Sequence, residues 1–279
     1  MPEPRFSIAQ RRVGLELRRL RAAAGKTLDD VATIMEWSPS KVSRVETGES
    51  RILARDVHFL CRALGAEADV ADALVELVKA AKVKGWWEPY RDVLGGNYIP
   101  FEAAADEVNE FQMEVVPGLL QTSAYARAVV RGSAQHRTDE EVERRVQARL
   151  DRRDALDRED QPLKLWAIIS EGALRREIGG REVLRAQLKH MVERLDKPNI
   201  ELQVLPFEAG AHPALSTNFI ILRFEAGEPL VFGNGFAATP EVEDPSQKSR
   251  ALDTWVRLQA MAESPDRSRR MLKEAAMGR

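Results

Sequence analysis

Apolar residues in the first eighty positions recur at three- and four-residue intervals, the mark of helices buried on one side. Val13, Leu17, Leu20 and Ala24 form one stripe, which Gly25 closes. Leu28, Val31, Ala32 and Met35 form a second, with Thr27 as N-cap and Asp29 and Asp30 at the positive end of the helix dipole. Val42 and Val45 belong to a third helix, opened by Ser38-Pro39, a capping hydroxyl followed by proline at the first helical position. Val57, Leu60, Cys61 and Leu64 give a fourth stripe before Gly65. Val70, Ala73, Leu74, Leu77, Val78 and Ala81 predict a fifth helix over 69–81, read as a brace for the first four or as a lead into a second domain.

Residues 27–48 organise the rest. A short turn at Glu36-Trp37 joins two brief helices, the arrangement of a helix-turn-helix, and Ala32 sits where the helices should cross. With Val42 and Val45 inward, Ser40, Lys41, Ser43 and Arg44 are left outward. Arg makes bidentate contacts to guanine, Ser serves several base edges, and Lys reaches base or phosphate. Backbone amides near Ser38 could hold a phosphate oxygen. Thr27, Ser38, Pro39 and Arg51 complete the candidate DNA-binding set, and Arg18, Arg19, Arg21 and Lys26 add further cations around it. The bland alternative is a small helical bundle whose third helix carries polar residues outward.

Beyond residue 81 the pattern changes. Lys84-Gly85-Trp86-Trp87-Glu88-Pro89-Tyr90 and Gly95-Gly96-Asn97 read as a linker whose aromatics dock rather than float. Residues 101–132 give a polar-apolar segment, a Pro117-Gly118 corner and a helix capped by Thr122 or Ser123. One long charged helix is expected over 140–158, with Val142, Val146 and Leu150 as its stripe. Strands are expected over 163–170, 200–207, 217–224 and 230–232, the last two separated by Gly227. The second of these alternates Ile200, Leu202 and Val204 against Glu201, Gln203 and Leu205. Val183, Leu184, Leu188, Met191 and Leu195 mark a helix, and helices over 246–262 and 265–277 end the pattern. Helices enclosing a small sheet make an α+β domain.

The chain's 279 residues suffice for about two domains. Its formal net charge of −2 conceals a division: residues 5–65 carry an excess of Lys and Arg, and the remainder an excess of acid. A basic reader joined to an acidic regulatory body would show that asymmetry. The single cysteine, Cys61, sits on an apolar helical face, so it reads as core and fits a reducing cytoplasm. No signal peptide and no membrane span are expected, so the sequence predicts a cytoplasmic protein, on the nucleoid when bound to DNA. His58, His136, His190 and His212 fall on four elements without metal-ligand spacing. With no phosphate loop, Rossmann fingerprint or nucleophile elbow, neither an enzyme nor a metal or other cofactor is expected.

Four helices with short loops, Glu46-x-Gly48 after the third, and Ala63-Leu64-Gly65 at the end resemble the XRE-type (Cro-like phage repressor) DNA-binding domain over about residues 10–66. VSRVETG at 42–48 is the most specific piece. The resemblance implies that Ser38, Pro39, Ser40, Lys41 and Arg44 face the groove. Glu36 stands where the turn often has Gly, and Leu28 where a phosphate-binding Gln is common. Further on, the GWW at 85–87 and PGLLQT-x-x-YARA at 117–128 look like actinobacterial regulators of the WhiJ-like type. So do EVERRVQARLDRRDAL, EGALRREIGG, IELQVLPFEAGAH and NFIILRF. These regulators join an XRE-type reader to a C-terminal domain of unknown function. The resemblance implies a small partner protein encoded by a neighbouring gene, in an antitoxin-like arrangement. Val231-Phe232-Gly233 departs from the aromatic and acidic pair expected there.

The expected fold is thus a mainly α N-terminal helix-turn-helix bundle, lambda-repressor-like, followed by an α+β C-terminal domain with a small sheet. The expected domains are a reader over 1–68, a bracing helix and aromatic linker over 69–98, and a regulatory or partner-binding domain over 99–279. The leading function is a sequence-specific transcriptional regulator, a repressor that binds double-stranded DNA as a homodimer and responds to a small protein or ligand. The aromatic linker with the C-terminal domain is the expected pairing surface. Two other readings stand beside it: an antitoxin-like interaction module with weak or no DNA binding, and an enzyme tethered to DNA.

Overall fold

A computed structural model describes residues 8–80, 86–94, 98–133, 138–225, 228–233 and 239–278. Ala81, Lys84-Gly85, Gly95-Gly96-Asn97, His136 and Gly227, used above, lie outside the described residues. The first compact unit holds the chain through Gly85, and the second begins at Trp86.

In the first unit, α1 (Ile8–Ala23), α2 (Leu28–Met35), α3 (Pro39–Glu46), α4 (Ala54–Ala63) and α5 (Ala68–Ala80) follow the stripes. Val13, Leu17, Val31, Val42, Val45, Val57, Leu60 and Cys61 meet in one core, and Ala71, Leu74 and Val78 bring α5 into it. Helix α5 therefore braces the reader. Ala24, assigned to the first stripe, is exposed, because α1 ends one residue before it.

The second unit opens with a 3-10 turn (Glu88–Tyr90) and short helices α6 (Arg91–Leu94) and α7 (Tyr98–Ala103). Its sheet comprises β1 (Glu107–Gln112), β2 (Lys164–Ser170), β3 (Ile200–Leu205), β4 (Phe219–Arg223) and β5 (Leu230–Gly233), in the order β3-β2-β1-β4-β5. Strands β1, β2 and β3 pair in parallel, and β4 and then β5 extend the sheet beyond β1 in antiparallel pairing, so the sheet is mixed. Helices α8 (Ser123–Gly132), α9 (Asp139–Arg153), α10 (Gly172–Arg175), α11 (Arg181–Arg194), α12 (Pro245–Met261) and α13 (Pro265–Ala276) complete the unit. An all-helical reader followed by an α+β domain is the fold class the sequence led us to expect.

One face of the sheet buries Phe111, Ile168, Phe219, Ile221 and Val231 with Trp255 and Leu258 of α12. On another part of the sheet, Tyr98 and Phe101 of α7 lay their rings on Phe232. Several expectations change here. The centre of the sheet is β1, where the sequence pattern predicts only a polar-apolar segment. Strand β3 is not half-exposed: Gln203 is as buried as its apolar neighbours, since its amide accepts from Trp166 Nε1 at 3.0 Å and donates to Glu263 O at 3.0 Å. The long charged helix stops at Arg153 and tightens into a 3-10 turn over Asp154–Asp157. Thr122 rather than Ser123 caps α8.

Candidate nucleic-acid interface

The reader's geometry begins with its caps. Thr27 Oγ1 accepts from Asp30 N at 3.1 Å, while Thr27 N donates to Asp30 Oδ2 at 2.8 Å, a reciprocal capping box that fixes the start of α2. Those bonds hold the Asp30 carboxyl below its usual range. Thr27 Oγ1 also lies 2.9 Å from Asp30 Oδ2 as donor, so both donors of this candidate contact residue are engaged internally. At the turn, Glu36 takes the left-handed conformation, φ 53°, at the position where the resemblance expects glycine. Ser38 then caps α3, its Oγ accepting from Lys41 N at 3.2 Å. Pro39 has no amide hydrogen and Lys41's is taken, which leaves Ser40's to meet an anion in this first turn.

Packing decides which face of α3 remains outside. Val42, Val45 and Glu46 are buried, whereas Ser38, Pro39, Ser40 and Arg44 are exposed and Lys41 and Ser43 are half-buried. Arg51 is exposed in the loop that follows. The candidates on α3 thus lie outside its buried Val42 and Val45 side, and Thr27, the N-cap of α2, is also exposed. Two features seat the helix. Gly14 of α1 lies so close to the end of α3 that an added Cβ would overlap the carbonyl oxygens of Val45 and Glu46. Beside it, Arg21 grips Glu46 through Nε–Oε1 at 2.7 Å and Nη2–Oε2 at 2.9 Å, and also donates from Nη1 to Lys26 O at 3.0 Å.

That ion pair was not foreseen from the sequence, and it changes the inventory of cations. Arg21 belongs to the cations that surround the candidate set, yet its charge is compensated by Glu46. Arg19 is compensated likewise, by Glu16 through Nε at 2.8 Å and Nη2 at 2.5 Å. Arg18, Lys26 and Arg51 remain at the surface. Leu28, in place of a phosphate-binding Gln, packs against the core. The Cys61 thiol is buried and pushed up to about 11 by desolvation, which leaves it unreactive.

Among the described residues, no group of His, Cys, Asp and Glu is placed to hold a metal ion, and no helix is long and apolar enough to cross a membrane. The aromatic segment, the expected pairing surface, belongs to the second unit, and its rings are not fully exposed. Trp86, Trp87 and Tyr90 are each half-buried, Trp86 meets both other rings, and Tyr90 OH donates to Asp151 at 2.6 Å. The second unit's most specific motif, PGLLQT, is held by buried amides. Gln121 donates to Val116 O at 2.8 Å, and Gln187 accepts from Thr122 N and donates to Leu120 O, both at 2.7 Å. The motif is therefore a structural corner.

Residues 96–274 match the family described as a domain of unknown function, DUF5753. The chain belongs to the DUF5753 family. Residues 12–74, ahead of the DUF5753 domain, match a helix-turn-helix domain, which supports a DNA-binding transcriptional regulator. No curated protein matches the chain. One similar solved structure is the clp gene regulator ClgR from C. glutamicum, 23% identical, covering 29% of this chain and 100% of that chain, with a TM-score of 0.23.

Proposed function

We propose that the chain is a sequence-specific transcriptional repressor that binds duplex DNA as a homodimer, has no enzymatic activity, and responds through its C-terminal domain to a small partner protein or ligand. The observation that carries this reading is the division of α3, with Val42, Val45 and Glu46 turned inward and Ser40, Lys41 and Arg44 left on the surface. Arg44 is suited to a guanine edge, Ser40 to either partner of a base pair, and Lys41, Arg18, Lys26 and Arg51 to phosphates. One such helix reads only a few base pairs, so two protomers about a two-fold axis are needed to select a site. The WhiJ-like resemblance supports a small protein partner in an antitoxin-like arrangement.

Selection from a pool of randomised duplexes by the full-length chain tests the reading. Recovery of a shared motif with two-fold symmetry is expected; recovery of unrelated sequences only would overturn it. A second reading, an interaction module with weak or no DNA binding, draws on Leu28, half-buried against the core, and on the compensation of Arg19 and Arg21. Weak binding that ignores both sequence and salt would favour it.

A further inference from the structure

Of the cations around α3, Lys41 is held in a different way. Its Nζ lies 3.8 Å from the centroid of the Trp37 ring. Trp37 sits in the turn between α2 and α3, where its amide donates to Ala32 O at 2.9 Å and its half-buried ring packs against the core of the first unit. The ring is thus anchored from both backbone and side chain. Lys41, four residues later, has its own amide fixed by Ser38. Both ends of an otherwise flexible side chain are therefore constrained.

This matters because of what the partner is. Arg19 and Arg21 are ordered by carboxylates, which cancel their charge as they hold them. An indole face attracts an ammonium through its quadrupole and leaves the unit charge in place. It also occupies only one side of a group with three donors. Among the described residues no carboxylate pairs with Lys41. A lysine is normally a mobile point charge that loses much rotamer freedom when it binds an anion, and here part of that loss has been met before any ligand arrives.

We infer that Trp37 is a positioning residue, which holds the Lys41 ammonium, ordered but still fully charged, for contact with a DNA backbone phosphate. The inference rests on the DNA-binding reading above. It assigns the turn of the helix-turn-helix a role in affinity beyond joining two helices.

The test is a double-mutant cycle on the full chain, with a duplex recovered from the randomised pool by the wild-type protein as probe. Trp37→Leu is expected to weaken binding about threefold to fivefold, the scale of an exposed cation–π contact. In a Lys41→Ala background the same change should add little. Trp37→Phe, which keeps a ring face, should retain most of the affinity. If Trp37→Leu weakens binding equally with and without Lys41, or has no effect, the ring only packs the turn and the inference fails. It fails also if Trp37→Phe loses as much as Trp37→Leu. Should the wild-type chain recover no duplex, the DNA-binding reading falls first and this inference with it; an additive cycle on a recovered duplex removes the inference alone.

Discussion

Glu110 lies in the middle of the central strand, 4% exposed, with Gln112 Nε2 2.6 Å from its Oε1. Nearby, Glu102 is gripped by Arg152 through bonds of 2.7 and 2.6 Å and also receives the Tyr98 hydroxyl. Both of those bonds go to Glu102, and Arg152 acts on Glu110 only as a nearby positive charge, which lowers its pKa less than burial raises it. Desolvation is the main cause that pushes the Glu110 carboxyl up to about 7. The folded state then binds a proton that the unfolded state has released between about pH 4.5 and 7, so stability falls as pH rises through that window. Glu110→Gln should remove this slope. Denaturant midpoints should show the variant close to wild type at about pH 5 and more stable at about pH 8, by up to roughly 3 kcal/mol from the shift alone. Equal pH dependence in the two proteins would show that Glu110 titrates normally.

At the scale of elements, α3 is seated by the Arg21–Glu46 pair, whose side chains retain only 16% and 7% of their exposure. Removing one partner of a pair so covered leaves a buried charge and costs about 3 kcal/mol. Arg21→Ala should thus lower the unfolding free energy of the first unit by that order. A change below about 0.5 kcal/mol in chemical unfolding would mean that the pair only decorates the surface. The five helices of this unit were legible because each has a clean apolar stripe, and Thr27 and Ser38 were legible as caps. The ion pair was not, because Glu46 looks like an ordinary helical carboxylate until α1 is placed beside it. Strand β1 was hidden for a related reason. Glu107, Asn109, Glu110 and Gln112 interrupt its apolar pattern, and only the fold supplies what accommodates them, such as the Arg223 Nε bond to Asn109 Oδ1 at 2.7 Å. The outward residues of α3 were legible from the inward turn of Val42 and Val45, whereas only the structure shows that Arg19 and Arg21 are engaged by Glu16 and Glu46.

For the molecule as a whole, the division of charge becomes a statement about salt. Cations compensated by carboxylates release few counterions from DNA, whereas free ones each contribute about 0.9 to the log–log salt slope per phosphate contact. Arg51→Ala should therefore flatten the slope by about 0.9 per protomer, and Arg19→Ala should leave it nearly unchanged. Titrations of one duplex at several salt concentrations distinguish the two, and equal losses would contradict the cation inventory. Under the proposed function, the outward face of α3 reads base sequence. Competition titrations of full-length wild-type and Arg44→Ala protein, on a selected duplex and on unrelated duplex, test it most directly. Arg44→Ala is expected to cost about 1–3 kcal/mol on the selected duplex and little on the other, so that specificity collapses toward non-specific affinity. Unchanged preference for the selected duplex in Arg44→Ala would place sequence recognition elsewhere and contradict it.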